Sequence, residues 1–225
     1  MIAMPNIEQL TPEYWEKRRQ EWAGYFPGAL FGWPGDATAA TLASFRAALG
    51  AESEEAIQEV LTADPYLIQY AIDHSGHHGV WVFPKQMIKP RGADGSQGLV
   101  PDYLVVSRSS LGYFWNIVEL KRFDQQFANQ KGDAFSPEGN KAIGQCNAYL
   151  THFQDYVDTI RNNIRVAELI QPEGAILLMG DSDIESDAQR RFRSDFVRNH
   201  AKIKVVSYRR IIKALESDLQ SRGAI

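Results

Sequence analysis

Cysteine is nearly absent from this chain of 225 residues, where Cys146 stands alone. One thiol excludes an intramolecular disulfide, a multi-cysteine zinc site and a Cys-ligated iron–sulfur cluster. No stretch approaches the ~18 consecutive apolar residues that a membrane span needs. The first residues also lack the basic flank and apolar core of a secretory signal. The expectation is a cytoplasmic protein that does not enter membranes. Internal repeats and low-complexity tracts are missing as well. So is any overall excess of positive charge: 24 basic against 28 acidic residues give a net −4, which argues against a general polycation. What remains is an ordinary globular composition in a chain long enough to bury a sizeable core.

The charge is unevenly distributed. Residues 1–64 hold four basic and ten acidic side chains, whereas residues 189–213 carry nine basic side chains against Asp195 alone, a local +8. Such asymmetry points either to a polyanion-facing C-terminal surface or to a well-solvated helix face.

Residues 11–23 predict a helix, with Thr11 as N-cap and Pro12 in the first turn. The stretch 24–37 is rich in Gly and Pro and reads as loop, so an N-terminal helical appendage over 1–50 and a main domain over 51–225 are expected. Residues 53–72 predict a long helix that Pro65 kinks or splits. Strands are expected at 79–83 and 86–89, then at 99–107 and 113–120 around a turn at 109–112. From Ser136 to about Asn162, the apolar positions Ile143, Cys146, Leu150, Phe153, Val157 and Ile160 form a sustained helical seam. A wholly apolar strand at 174–180, a helix to Asn199, a strand at 203–206 and a helix at 208–219 complete the order. That order predicts an α/β domain with a mixed sheet flanked by helices.

One pair of strands carries chemistry. Pro101–Asp102 opens the first, and Glu119-Leu120-Lys121 closes the second. Alternation puts Glu119 and Lys121 on one face of a largely apolar strand, where charges are costly without partners. A magnesium ion would be such a partner, since it takes carboxylate oxygens, waters and a backbone carbonyl such as that of Leu120. Lys121 beside it would orient an attacking water and stabilise charge developing on a phosphate.

The pattern P-D, sixteen residues, then E-L-K resembles the signature of the PD-(D/E)xK nucleases. Gln145 and Tyr149 resemble the Q-x-x-x-Y element of that superfamily's exonuclease-like branches. Upstream, Glu55-x-x-Gln58 followed by Val60-Leu61 and Pro65 resembles the leading helix of Shedu-type anti-phage nucleases, and residues 52–215 resemble their C-terminal domain. The resemblance implies a restriction-endonuclease-like core and a deoxyribonuclease, an endonuclease of prokaryotic defence, that assembles into homo-oligomers. It implies Asp102, Glu119, Lys121 and Gln145 as catalytic residues, and Asp102, Glu119, Leu120 and Glu55 as holding Mg²⁺ or Mn²⁺, with Glu54 and Glu59 as neighbouring alternatives to Glu55. DNA phosphates would then meet Arg190, Arg191, Arg193 and Lys204. The alternative is a catalytically inactive module of the same fold that binds nucleic acid or a protein partner.

Other signals fit less. His74, His77 and His78 lack a recognised ligand spacing. Asp181, Asp183, Glu185 and Asp187 open like a calcium loop, but Ser186 and Phe192 occupy the positions that require Gly and Glu. GADGSQG precedes a strand, so it is no phosphate cradle for a helix N-terminus. Cys146 lies on the apolar seam and reads as core.

Overall fold

The computed structural model describes residues 11–72, 78–91 and 98–225. The expected strands at 174–180 and 203–206 form as β5 (Gly174–Leu178) and β6 (Ile203–Val206). The expected hairpin forms as β3 (Tyr103–Ser109) and β4 (Gly112–Leu120), with β2 (Val80–Pro84) beside it. A three-residue strand, β1 (Leu30–Gly32), adds the outer edge. The six strands run in the order β1-β2-β3-β4-β5-β6. The first four form an antiparallel meander, and β4, β5 and β6 are parallel. A parallel neighbour needs a crossover connection, and two helices supply these: α5 (Pro137–Ile164) between β4 and β5, and α6 (Asp187–Asn199) between β5 and β6.

Both sheet faces are covered, so this is a three-layer α/β arrangement. On one face, Trp81, Leu104, Trp115, Ile117 and Leu177 pack against the α5 seam of Cys146, Phe153 and Ile160, and against Phe196 of α6. On the other, Val82, Val105, Val118, Leu120 and Ile176 meet α2 (Ala39–Gly50), α3 (Glu54–Ala63), α4 (Tyr66–Gln69) and α7 (Tyr208–Ser221). Pro65 separates α3 from α4, as its missing N–H requires. α1 (Pro12–Ala23) is capped by Thr11, whose side chain accepts the Tyr14 N–H.

Residues 30–50 fall within the expected appendage, yet they are woven into this domain. β1 pairs with β2, while Leu42, Phe45 and Leu49 of α2 sit in the core with α3 and α7. The expected strand at 86–89 is reduced to a single bridge between Lys89 and Leu99. Among the described residues, no helix is long and apolar enough to cross a membrane.

Two details set the start of α5. Ser136 accepts the Gly139 N–H at 2.9 Å and donates to the Gln126 carbonyl at 2.6 Å. A Cβ at Gly139 would lie 2.3 Å from the Phe127 carbonyl oxygen, so only glycine lets the helix seat this closely. The first turns of α5 are thereby held over the ends of β3 and β4.

Candidate functional site

At the junction of the meander and the parallel strands, the sheet presents charged residues on its α5 face. The β3–β4 register pairs Tyr103 with Val118, and one further step sets Asp102 opposite Glu119. Alternation then places Asp102 and Glu119 on the face of Leu104 and Ile117, while Leu120 turns into the opposite core. The backbone is pinned on both sides. The Lys85 N–H donates to the Asp102 carbonyl at 2.9 Å, the Lys121 N–H to Leu178 O at 2.9 Å, and the Tyr208 hydroxyl to Lys121 O at 2.7 Å.

Each charged group has a definite partner. Asp102 Oδ2 accepts the Leu120 N–H at 2.7 Å, and Oδ1 pairs with the Lys85 ammonium. Glu119 is only 4% exposed. Its Oε1 meets Lys121 Nζ at 2.7 Å, and the same ammonium donates to Leu120 O at 2.8 Å. Glu119 Oε2 is buried with no hydrogen-bond partner. An orphaned carboxylate oxygen in a buried site costs free energy unless a proton or cation meets it.

α5 closes the site. Glu138, Lys141, Gln145 and Tyr149 recur at helical spacing along one stripe. With Glu54, Lys85, Val100, Asp102, Glu119, Lys121 and Gln125 they line a cleft of about 380 Å³. Gln145 Oε1 and Gln125 Oε1 are buried without partners. The Tyr149 hydroxyl reaches the Val100 carbonyl at 3.5 Å and lies against the Glu119 carboxylate.

The electrostatics follow from burial and crowding. Burial, then the charge of Asp102, hold the Glu119 carboxyl above the ordinary carboxylate value of 4.5, against the opposing pull of Lys121. Burial would depress the Lys121 ammonium, but Glu119 beside it wins and raises it. Burial followed by Glu119 also raises the Tyr149 hydroxyl. The same pair of causes pushes the Cys146 thiol up to about 12, so it remains protonated core rather than a nucleophile.

Of the residues singled out from the sequence, Asp102, Glu119, Leu120, Lys121 and Gln145 come together here. Glu55 does not. It lines a neighbouring groove with Gln58, Glu59 and Thr62, and Glu54 lines the cleft instead. The phase of α3 explains this: Ile57 and Leu61 face the core, and Glu54 lies one turn before Ile57 on that side. Lys85, Gln125, Glu138 and Lys141 were not anticipated. Glu138 and Lys141 were readable, since they precede Gln145 at seven and four residues on the same helix.

The four basic residues expected at phosphates do not form one surface. Arg193 grips the buried Glu185 through two nitrogens, at 2.8 and 3.0 Å, and Arg190 pairs with Asp187 at 2.8 Å. Arg191 borders a separate depression with Phe135, Phe192 and His200. Lys204 pairs in register with Ile176 and so emerges on the face opposite α6. Four of the nine basic side chains are met by acids just upstream, because Arg209 also grips Asp181 and Lys213 reaches Asp183. This uses the carboxylates that resembled a calcium loop. His74 and His77 lie outside the described residues, and the His78 ring stands edge-on to Trp22, with centroids 4.7 Å apart.

Among the described residues, no three His, Cys, Asp or Glu side chains form a ready metal cluster. The cleft nevertheless carries hard oxygen donors from Asp102 and Glu119, one of them the unpartnered Glu119 Oε2, and the neighbouring Leu120 carbonyl accepts from Lys121 Nζ. Magnesium typically takes one or two carboxylates and keeps several waters, so this donor set fits it. The sequence matches no family model and no curated protein.

Proposed function

We propose that this chain is a divalent-metal-dependent deoxyribonuclease with a restriction-endonuclease-like core, hydrolysing phosphodiester bonds within DNA. The observation that carries the reading is the buried Asp102–Glu119–Lys121 constellation, in which Glu119 keeps one oxygen without a partner beside a second carboxylate. In a surface ion pair the second carboxylate oxygen would be solvated, whereas Glu119 is only 4% exposed. The sequence resemblance to Shedu-type nucleases supports a role in anti-phage defence and assembly into homo-oligomers.

Asp102, Glu119 and the Leu120 carbonyl would hold Mg²⁺ or Mn²⁺, with Glu54 as the leading-helix carboxylate in place of Glu55. When bound, such an ion supplies Lewis-acid polarisation of phosphoryl oxygens and acidifies water. The side chains of the chain do the rest. The Lys121 ammonium, fixed by Glu119 and the Leu120 carbonyl, presents its remaining donor to the cleft, where it orients the attacking water or a non-bridging phosphate oxygen. Gln145, with an amide oxygen left unpaired, accepts a hydrogen bond from that water. Lys141 adds positive charge on the α5 wall of the cleft.

The test is incubation of circular and linear duplex DNA with the protein and Mg²⁺ or Mn²⁺, and again with chelator. Divalent-dependent opening of circles is expected. Retention of DNA without cutting, under either ion, would replace this reading with that of an inactive binding module.

A further inference from the structure

Lys85 stands one residue beyond β2 with φ at 50°, in the left-handed region that side chains other than Gly and Asn adopt rarely. From there its N–H continues the ladder to the Asp102 carbonyl, and its ammonium folds back onto Asp102 Oδ1. The two ends of this pair differ. The Asp102 side chain is 11% exposed, whereas that of Lys85 is 51% exposed and free to swing into solvent. Lys121 contrasts with it, being 12% exposed and held by two hydrogen bonds. Asp102 Oδ2 is committed to the Leu120 N–H, so Oδ1 is the oxygen that a cation entering the cleft would meet. That oxygen already carries a cation on a flexible tether.

We infer that Lys85 is an exchangeable counter-ion that competes with the divalent cation for Asp102 Oδ1. It keeps the buried carboxylate paired when the cleft is metal-free, and it moves to the open side of the cleft when metal enters. The inference rests on the metal-dependent reading above. A half-exposed ion pair is worth little, so the competition is mild and the exchange is easy.

The test is Mn²⁺ binding to the full chain without DNA, read from the electron paramagnetic resonance of free Mn²⁺. Lys85→Met keeps the stem and removes the charge; Lys85→Gly also relaxes the left-handed backbone. Both should tighten Mn²⁺ binding about two- to fivefold, the range of a half-exposed pair, and Lys85→Arg should leave it near wild type. Lys141→Met, which removes another charge from the same cleft, sets the general electrostatic effect that the Lys85 variants must exceed. Unchanged or weaker binding in both Lys85→Met and Lys85→Gly overturns the inference. Asp102→Asn separates the two levels. If it weakens binding while the Lys85 variants do nothing, the metal site stands and the counter-ion does not. If wild type binds no Mn²⁺, or Asp102→Asn has no effect, both fall.

Discussion

Lys121→Met removes the ammonium held against Glu119 while keeping the length of the side chain. In wild type that ammonium and the Glu119 carboxylate are 12% and 5% exposed at 2.7 Å, so the variant leaves a nearly buried carboxylate facing Asp102. Removing one member of a buried pair typically costs about 3–5 kcal/mol. The lower figure applies here, because Glu119 can take up a proton and shed the uncompensated charge. For a chain of this size, about 3 kcal/mol corresponds to a fall of roughly 6–12 °C in melting temperature.

The penalty carries a pH signature. Glu119 already titrates above 4.5, through burial and then Asp102, and loss of Lys121 raises it further. Between the wild-type and variant values, the folded variant holds an extra proton. Its stability relative to wild type therefore falls as pH rises through that window and levels off above it. Urea unfolding at pH ~5 and ~8 should show the larger penalty at the higher pH. Lys121→Met combined with Glu119→Gln should recover much of the loss at pH ~8, since no charge is then left unpaired. A single variant as stable as wild type at the higher pH, or one hit harder at the lower, would refute the buried-pair argument.

Two further expectations separate neighbouring residues. Glu54→Gln should weaken Mn²⁺ binding by more than twofold in a direct titration, whereas Glu55→Gln, on the adjoining groove, should not; equal effects would contradict the phase of α3. Arg193→Met should cost about 3 kcal/mol in urea unfolding by stranding Glu185 and leave the salt dependence of DNA binding unchanged. Arg191→Ala should be neutral in stability and should flatten the log–log salt slope by about 0.9 if it meets a phosphate.

The fold was legible wherever apolar periodicity was strong. The α5 seam and the buried β5 stand where their patterns placed them, and the hairpin of β3 and β4 forms with its first strand starting at Tyr103, four residues later than expected. β1 and α2 escaped for physical reasons. Leu30–Gly32 is three residues inside a Gly- and Pro-rich stretch, and its pairing with β2 depends on a distant strand. α2 is alanine-rich, so its apolar stripe is faint, and its Thr38–Thr41 capping box lacks the Glu or Gln usual at the third position. The P-D and E-L-K segments foretold the heart of the cleft because one strand register joins them. Lys85 could not be foreseen, as only tertiary structure folds it back onto Asp102. The partial neutralisation of the basic segment was hidden similarly: Glu185 reaches Arg193 across a cap and two helical turns, and Asp181 reaches Arg209 from another strand end.

The central claim is most directly tested by the rate at which wild type and Lys121→Gln open a closed circular duplex under single-turnover conditions with saturating Mg²⁺. Loss of one preorganised charged donor costs on the order of 10²–10³ in rate. The account therefore predicts circle opening by wild type only with the divalent ion, and a folded Lys121→Gln protein slower by about that factor. A folded variant that opens circles at the wild-type rate, or wild-type cutting that persists in chelator, would contradict it.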